Sequence, residues 1–428
     1  MREYAEYQSP GLDFVEQIPA HWKMVPFRHV FTESREVNGK TPVGPMLSVS
    51  GYRGVEVKEY DSENRRRTPE EVASYRVVRP GQLAVNTMWL NYAGLGVSDF
   101  EGHMSPAYRA YNISPSLEPR YVHHLLRSST YVQGYTALLT GIRPNSLQMS
   151  RDDLMNFPVI LPPLEEQRLI ADYLDRETAE IDAFIMELDR FMSLTEERRN
   201  AARSKFFSPS HAENLLPIKR VARLAGGAGF PPAYQGITDE ELPFYKVGSL
   251  KSAEEGKLTY ASDSISRSTA RSLGAEVLPA GSVVMAKIGA ALFLRRNALL
   301  TKPGCIDNNM LGLIPASLVD GRYLQEVLLT LDLTPIANPG AVPSLNMRWF
   351  RENKIEVPSL EVQNEVLARF SELDSAARLA LADAAKAKEL AQERRSALIS
   401  AAVTGQIDVA AQGVSTAEQL RDELEVHV

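Results

Sequence analysis

Residues 161–206 read LPPLEEQRLIADYLDRETAEIDAFIMELDRFMSLTEERRNAARSKF. From Leu164 onward this stretch contains neither glycine nor proline. Leu174, Ile181 and Leu188 recur every seven residues, with Ile170, Phe184 and Phe191 interleaved three or four positions away. Apolar residues at that spacing fall on one stripe of a helix and form a heptad seam. Pro162 and Pro163 sit where such a helix begins, and Glu165 and Glu166 suit the positive end of its dipole. At 1.5 Å per residue, about 40 residues make a rod roughly 60 Å long, more than a globular core needs.

Working outward, the start and end of this stretch recur 196 residues later: PPLEEQ (162–167) as PSLEVQ (358–363), and EERRNA (196–201) as QERRSA (392–397). PNSLQM (144–149) returns as PSLNM (343–347), VPFRHV (25–30) as LPIKRV (216–221), and RPGQLAV (79–85) as PAGSVVM (279–285). One arrangement is therefore used twice, a module of about 150 residues followed by a long helix. The second helix carries Val366, Phe370 and Leu373, then Ala377, Ala380, Ala384 and Ala387, in the equivalent positions. One seam is bulky and the other small, so the two helices are expected to pack on each other. Within each module, Pro-Gly before an apolar run (Gly81 to Val85, Gly281 to Met285) reads as a turn feeding a strand. Tyr121–Leu126 and Tyr323–Leu329 read as short helices. The expected organisation is α+β: mixed modules at 1–162 and 208–358, helices at 163–207 and 359–409, and an unstructured tail at 410–428.

Composition bounds the function. At 428 residues the chain is too long for one ordinary core. Its single cysteine, Cys305, excludes an internal disulfide and any multi-cysteine metal site. The opening MREYAEYQSPGLDF has no apolar signal core, and no segment has the roughly 20 apolar residues of a membrane span, so a cytoplasmic protein is expected. The net charge of −7 speaks at first against a nucleic-acid binder. Its distribution changes that reading: zero over 1–162, −4 over 163–206, +2 over 207–358 and −5 over 359–428. The acid sits in the helical segments and leaves the modules room for positive faces.

Catalytic signatures are missing. The one Gly-Lys-Thr, at 39–41, has Ser34 where a P-loop needs its first glycine. Phe230-Pro231-Pro232-Ala233-Tyr234 departs from the Asn/Asp-Pro-Pro-aromatic loop that grips a target amine. Glu56-Val57-Lys58 is a lone fragment of a metal-nuclease pattern. The seven histidines are scattered, and the adjacent His123 and His124 would face different sides of a helix. The chain is expected to be no enzyme and to bind no cofactor or metal of its own.

Five strings, in order, carry a family resemblance. They are IPAHWKMVPF (18–27), NTMWLNYAGLGVSDFEGHMSPAY (86–108), LPPLEEQRLIADYLDRETAEID (161–182), AKIGAALF with CIDNNMLGLIP (286–293, 305–315), and ERRSALISAAVTGQID (393–408). Through them the chain resembles the specificity (S) subunit of Type I restriction–modification enzymes over nearly its whole length. The second helix start, PSLEVQNEV, departs from the fuller Pro-Pro-Leu-Glu-Glu-Gln form. The resemblance implies two target-recognition domains, each reading one half of a split site in double-stranded DNA. It implies antiparallel helices that act as spacer and as docking platform for two methyltransferase (modification) subunits. Those partners would bring S-adenosylmethionine and methylate adenine at N6. Restriction and motor subunits joining them would bring ATP and Mg. An equivalent subunit of a Type IIB-like system and a free-standing DNA-binding regulator remain open as alternatives.

Base edges are read chiefly in the major groove, while phosphate contacts fix register. In the first module Asn86, Thr87, Trp89, Asn91 and Tyr92, with Ser105 and Tyr108, offer a polar and aromatic edge just past a buried strand. In the second, Lys287 interrupts an apolar run, and Asn308 and Asn309 follow in a short loop. For phosphates the candidates are Arg65, Arg66 and Arg67, then Arg295 and Arg296. Arg143 and Arg348 lie beside the repeated Ser-Leu strings as backbone clamps.

Overall fold

The computed structural model describes residues 4–51, 53–59, 68, 70–141, 147–209 and 214–409. Arg65, Arg66, Arg67 and Arg143 lie outside the described residues, as does the tail at 410–428. The chain forms two compact units, one from Met1–Asp189 with Lys386–Val428 and the other from Arg190–Ala385. No described helix is long and apolar enough to cross a membrane.

After a short antiparallel pair of Tyr7–Gln8 with Ile18–Pro19, the first unit continues with β1 (Lys23–Pro26) and β2 (Phe31–Ser34). After them come β3 (Leu83–Val85), β4 (Leu95–Val97) and β5 (Arg109–Ile113). An antiparallel sheet runs in the order β2-β5-β3-β4. Every residue of β3 is buried, as an all-apolar strand covered on both faces must be. Gly81 turns the chain into it at φ 82°, a backbone that glycine takes without strain. Helix α1 (Pro119–Arg127) buries Tyr121, Val122, Leu125 and Leu126 in the core. β6 (Pro158–Leu161) pairs with β1 and leads into the long helix α2 (Leu164–Phe207).

The second unit repeats this plan with β7 (Leu215–Pro217), β8 (Ala222–Gly226), β9 (Lys257–Leu258), β10 (Val283–Ala286), β11 (Asn297–Leu300) and β12 (Met310–Pro315). Its sheet order is β8-β12-β10-β11-β9, so the first four places match the first unit and β9 adds a parallel edge. Gly281, at φ 83°, repeats the turn of Gly81. Helix α3 (Gly321–Thr330), strand β13 (Lys354–Glu356) and the second long helix α4 (Leu360–Val403) complete the parallel.

The repeat extends to single hydrogen bonds. Gln167 and Gln363 are wholly buried. Gln167 accepts from the Glu118 amide at 2.9 Å and donates to the Pro162 and Ser116 carbonyls. Gln363 accepts from the Asp320 amide at 2.8 Å and donates to the Pro358 and Leu318 carbonyls. Each side-chain amide thus pins the start of a long helix to the turn before α1 or α3, with donors and acceptor paired as burial demands. The Tyr121 hydroxyl donates to Ile160 at 3.2 Å, and the Tyr323 hydroxyl to Glu356 at 3.3 Å.

In each unit, parts of α2 and α4 lie side by side and antiparallel. In the first, Asp182 receives Arg395 at 2.8 Å and Asp189 receives Lys388 at 2.6 Å, while Ile170, Ala171 and Leu174 share a core with Ala402 and Val403. In the second, Arg199 meets Asp374 at 2.6 Å, and Phe206 and Phe207 stack edge-on against Phe370. Of the four expected seam alanines, Ala384 is buried and Ala377, Ala380 and Ala387 are half-buried; Ala391, one turn beyond Ala387, is buried as well. Three expected seam residues face outward instead: Phe184, Phe191 and Leu373, at 49%, 47% and 54% exposed. The helical period explains it. At about 100° per residue, Ile185 lies nearer the stripe through Ile181 than Phe184 does, and Ile185 is the buried one.

Candidate nucleic-acid interface

The edge predicted in the first module is a turn built on the end of β3. The Asn86 amide donates to the Gly94 carbonyl at 2.7 Å, and its Oδ1 accepts from the Met88 amide at 3.2 Å. Leu90 is driven fully into the core and anchors the turn. With that anchor inside, the neighbouring Trp89 and Tyr92 are turned out, 55% and 57% exposed, with ring centroids 5.5 Å apart. Ala93 closes the turn in the left-handed region at φ 52°. Thr87 is half-buried, and its carbonyl accepts from the Met149 amide at 3.2 Å.

Because Arg109 pairs with Val85, the residues before β5 come to lie beside this turn. Tyr108, which hydrogen-bonds to the Asn86 side chain, is therefore its neighbour, and the Ser105 carbonyl accepts from the Tyr108 amide at 2.9 Å. Two candidates are corrected in part. Asn86 is 5% exposed and spends its hydrogen bonds on the turn, so it builds the edge rather than projecting from it. Tyr108 packs its ring against a small core of Leu47, Val78, Ala84 and Met104. Burial pushes its hydroxyl above the ordinary tyrosine range, an effect the Asn86 side chain opposes. Asn91 is half-buried, with its Oδ1 shielded and without a hydrogen-bond partner among the described residues.

The second module builds its edge at the same place in the sheet. Lys287 follows β10 directly; its amide donates to Asn309 at 2.9 Å and its carbonyl accepts from Leu345 at 2.8 Å. Asn308 is exposed, and Asn309 is tied by its amide and side chain to Asp307 at 3.0 and 3.3 Å. Lys287, Asn308 and Asn309 are thus brought together. The Lys287 side chain has no ion-pair partner among the described residues. Arg348 is exposed in the short helix Met347–Glu352, which Asn346 caps and which starts two residues beyond Leu345. Beside it Trp349 is 54% exposed, an aromatic that sequence reading missed because one tryptophan in a helix reads as core.

Arg295 and Arg296 stand elsewhere in this unit. Both are exposed and line a polar cleft of about 870 Å³ with Glu196, Arg199, Asn200 and Arg203 of α2. Arg295 approaches Asp332 at 3.7 Å. No group of acidic, histidine or cysteine side chains among the described residues is arranged to hold a metal ion. Burial pushes the Cys305 thiol up to about 11.

Comparison with known proteins agrees with this architecture. No family model matches the chain. It is 31% identical over 85 residues to the Type I restriction enzyme StySPI specificity subunit of Salmonella potsdam, covering 20% of this chain and 18% of the relative. It is 30% identical over 144 residues to the Type I restriction enzyme EcoKI specificity subunit of Escherichia coli (strain K12), covering 31% of this chain and 30% of the relative. The matched segments span less than a third of either curated relative. Among solved structures, a chain described under "Structural basis underlying complex assembly and conformational transition of the type I R-M system" superposes with a TM-score of 0.71 at 15% identity. That match covers 91% of this chain and 99% of the other. The chain thus resembles the specificity subunits of Type I restriction enzymes in sequence, and a chain of a type I restriction–modification system in fold.

Proposed function

We propose that this chain is the DNA sequence-specificity subunit of a Type I restriction–modification complex and catalyses nothing itself. Each module, 1–162 and 208–358, reads one half of a split site, and the long helices hold the two readers at fixed spacing. Two half-sites on one face of the duplex lie about one helical turn, roughly 34 Å, apart. The helices also dock two adenine-N6 methyltransferase subunits, which bring S-adenosylmethionine, and motor-nuclease subunits that bring ATP and Mg.

One observation carries this reading. The same sheet register presents two edges of different chemistry, Trp89 and Tyr92 in one module and Lys287 with Asn308 in the other. A duplicated frame with unlike reading edges is what an asymmetric split site demands. Exposed aromatics stack on bases or fill a groove, while lysine and asparagine hydrogen-bond to base edges and phosphates.

Lys287→Ala tests the assignment in the complex with its methyltransferase partner. Lost base reading is expected to cost about 1–3 kcal/mol and to relax one position of one half-site. Uniformly weaker binding with an unchanged pattern would make Lys287 a phosphate contact. Relaxation in both halves would contradict the modular reading.

A further inference from the structure

Behind the first reading edge lies a side chain that neither the repeat nor the sequence reading accounts for. Arg127, at the end of α1, sends its guanidinium into a ring of backbone carbonyls. Nη1 donates to Leu95 at 2.5 Å, Ala93 at 3.0 Å and Ser50 at 3.3 Å, and Nη2 donates to Gly51 at 2.9 Å. Ala93 and Leu95 are the closing residues of the Trp89–Tyr92 turn. Ser50 and Gly51 belong to a hairpin in which Leu47–Ser50 pairs with Gly54–Val57.

The hairpin tip is pressed on that turn. A Cβ added to Gly51 would lie 2.4 Å from the Tyr92 carbonyl oxygen, so only glycine fits there. One turn earlier on α1, the His123 ring stands under the hairpin, where a Cβ on Gly54 would meet its Cε1 at 2.8 Å. Arg53, at the tip, is exposed. A planar guanidinium with five fixed donors suits this arrangement, because it spans two separate backbone segments at once.

Among the described residues the second module keeps the glycine contact but not the arginine. Two residues beyond Tyr323, where the first module has His123, stands Gln325, whose amide donates to Gly256 at 2.6 Å. Six residues beyond Tyr323, where Arg127 stands in the first, is Leu329. The clamp is therefore no requirement of the fold.

We propose that Arg127 is a positioning residue for specificity: it locks the hairpin tip and the Trp89–Tyr92 turn into one composite reading edge, and base discrimination by the first module depends on it. This rests on the proposed function. The side chain reads no base. It fixes the two segments that do, and misplacement of a reading group by even an ångström weakens hydrogen-bond geometry.

The test uses the full chain with its methyltransferase partner. Methylation rates are compared between the cognate site and single-base variants in each half, for wild type, Arg127→Gln and Arg127→Lys. Arg127→Gln is expected to lower discrimination about tenfold in one half, as for the loss of one good base contact, and to leave the other half unchanged. Arg127→Lys, with fewer donors, is expected to fall between. A folded Arg127→Gln with unaltered discrimination, or with equal loss in both halves, overturns the proposal. Should Arg127→Gln fail to fold, hydrogen exchange of Arg127→Lys decides: faster exchange at the amides of residues 90–95 supports the clamp, and unchanged protection overturns it. If the wild-type complex shows no split-site preference, the proposed function fails. The exchange measurement still judges the clamp.

Discussion

Replacing Asp374 by alanine is expected to destabilise the second unit by about 3 kcal/mol. The side chain is 6% exposed and accepts from the Nε atoms of Arg199 and Arg378, both at 2.6 Å, with Arg203 at 3.7 Å. Burial alone would push its carboxyl up, yet the Arg199 and Arg378 guanidiniums hold it below the ordinary aspartate range. Removing it leaves the Arg378 guanidinium without an ion-pair partner among the described residues and Arg199 with only its 3.3 Å contact to Glu196. Breaking a buried pair in this way costs roughly 3–5 kcal/mol. The low end applies because Arg378 keeps 34% of its side chain in solvent, where water screens it. Arg203 retains Glu326 at 2.8 Å, which further limits the loss. Denaturant unfolding measures the effect directly. A change under about 1 kcal/mol would mean that the network is already screened at the surface.

The second large effect depends on pH. His123 is pulled down to about 3 by burial, with the nearby Arg127 and His124 acting in the same direction and Asp175 opposing them weakly. A hydrogen bond to the Val97 backbone also opposes the shift, but burial outweighs it and the ring stays neutral in the folded chain. An unfolded histidine takes a proton near pH 6.5. Below that pH the unfolded state binds more protons, so stability falls as pH drops; above it the contribution is complete. The slope is at most about 1.4 kcal/mol per pH unit, or roughly 2.5 kcal/mol between pH 6.5 and 4.5. His123→Gln, which installs the residue that Gln325 supplies in the second module, is expected to remove this slope. Unfolding curves at several pH values check it. A variant that kept the wild-type slope would show that another group titrates.

The parts of this fold that were legible in the sequence are those set by local period and repetition. Apolar spacing marked α2, and the 196-residue shift that aligns Gln167 with Gln363 marked its partner. A glycine turn after proline, Pro-Gly before β3 and Pro-Ala-Gly before β10, located both strands, and with them the places where both reading edges start. What stayed hidden depends on distant partners. Asp374 reads as a solvent-facing charge on a helix, because its partner Arg199 lies 175 residues away. Asn86 and Trp89 are equally plausible readers in a string of letters. Only the Gly94 carbonyl and the buried Leu90 decide that the first turns in and the second turns out. Arg127 gave no signal at all, since backbone carbonyls have no letter. The alternation of Leu47, Val49, Val55 and Val57 around Ser50–Gly54 was a hairpin signal that would have exposed its target.

Mapping of methylated adenine in DNA from cells that express this chain with its cognate methyltransferase tests the central claim most directly. The account predicts one motif in two parts, a modified adenine in each, separated by a gap of constant length and indifferent sequence. A contiguous motif, or adenine methylation that does not change when this chain is removed, would contradict it.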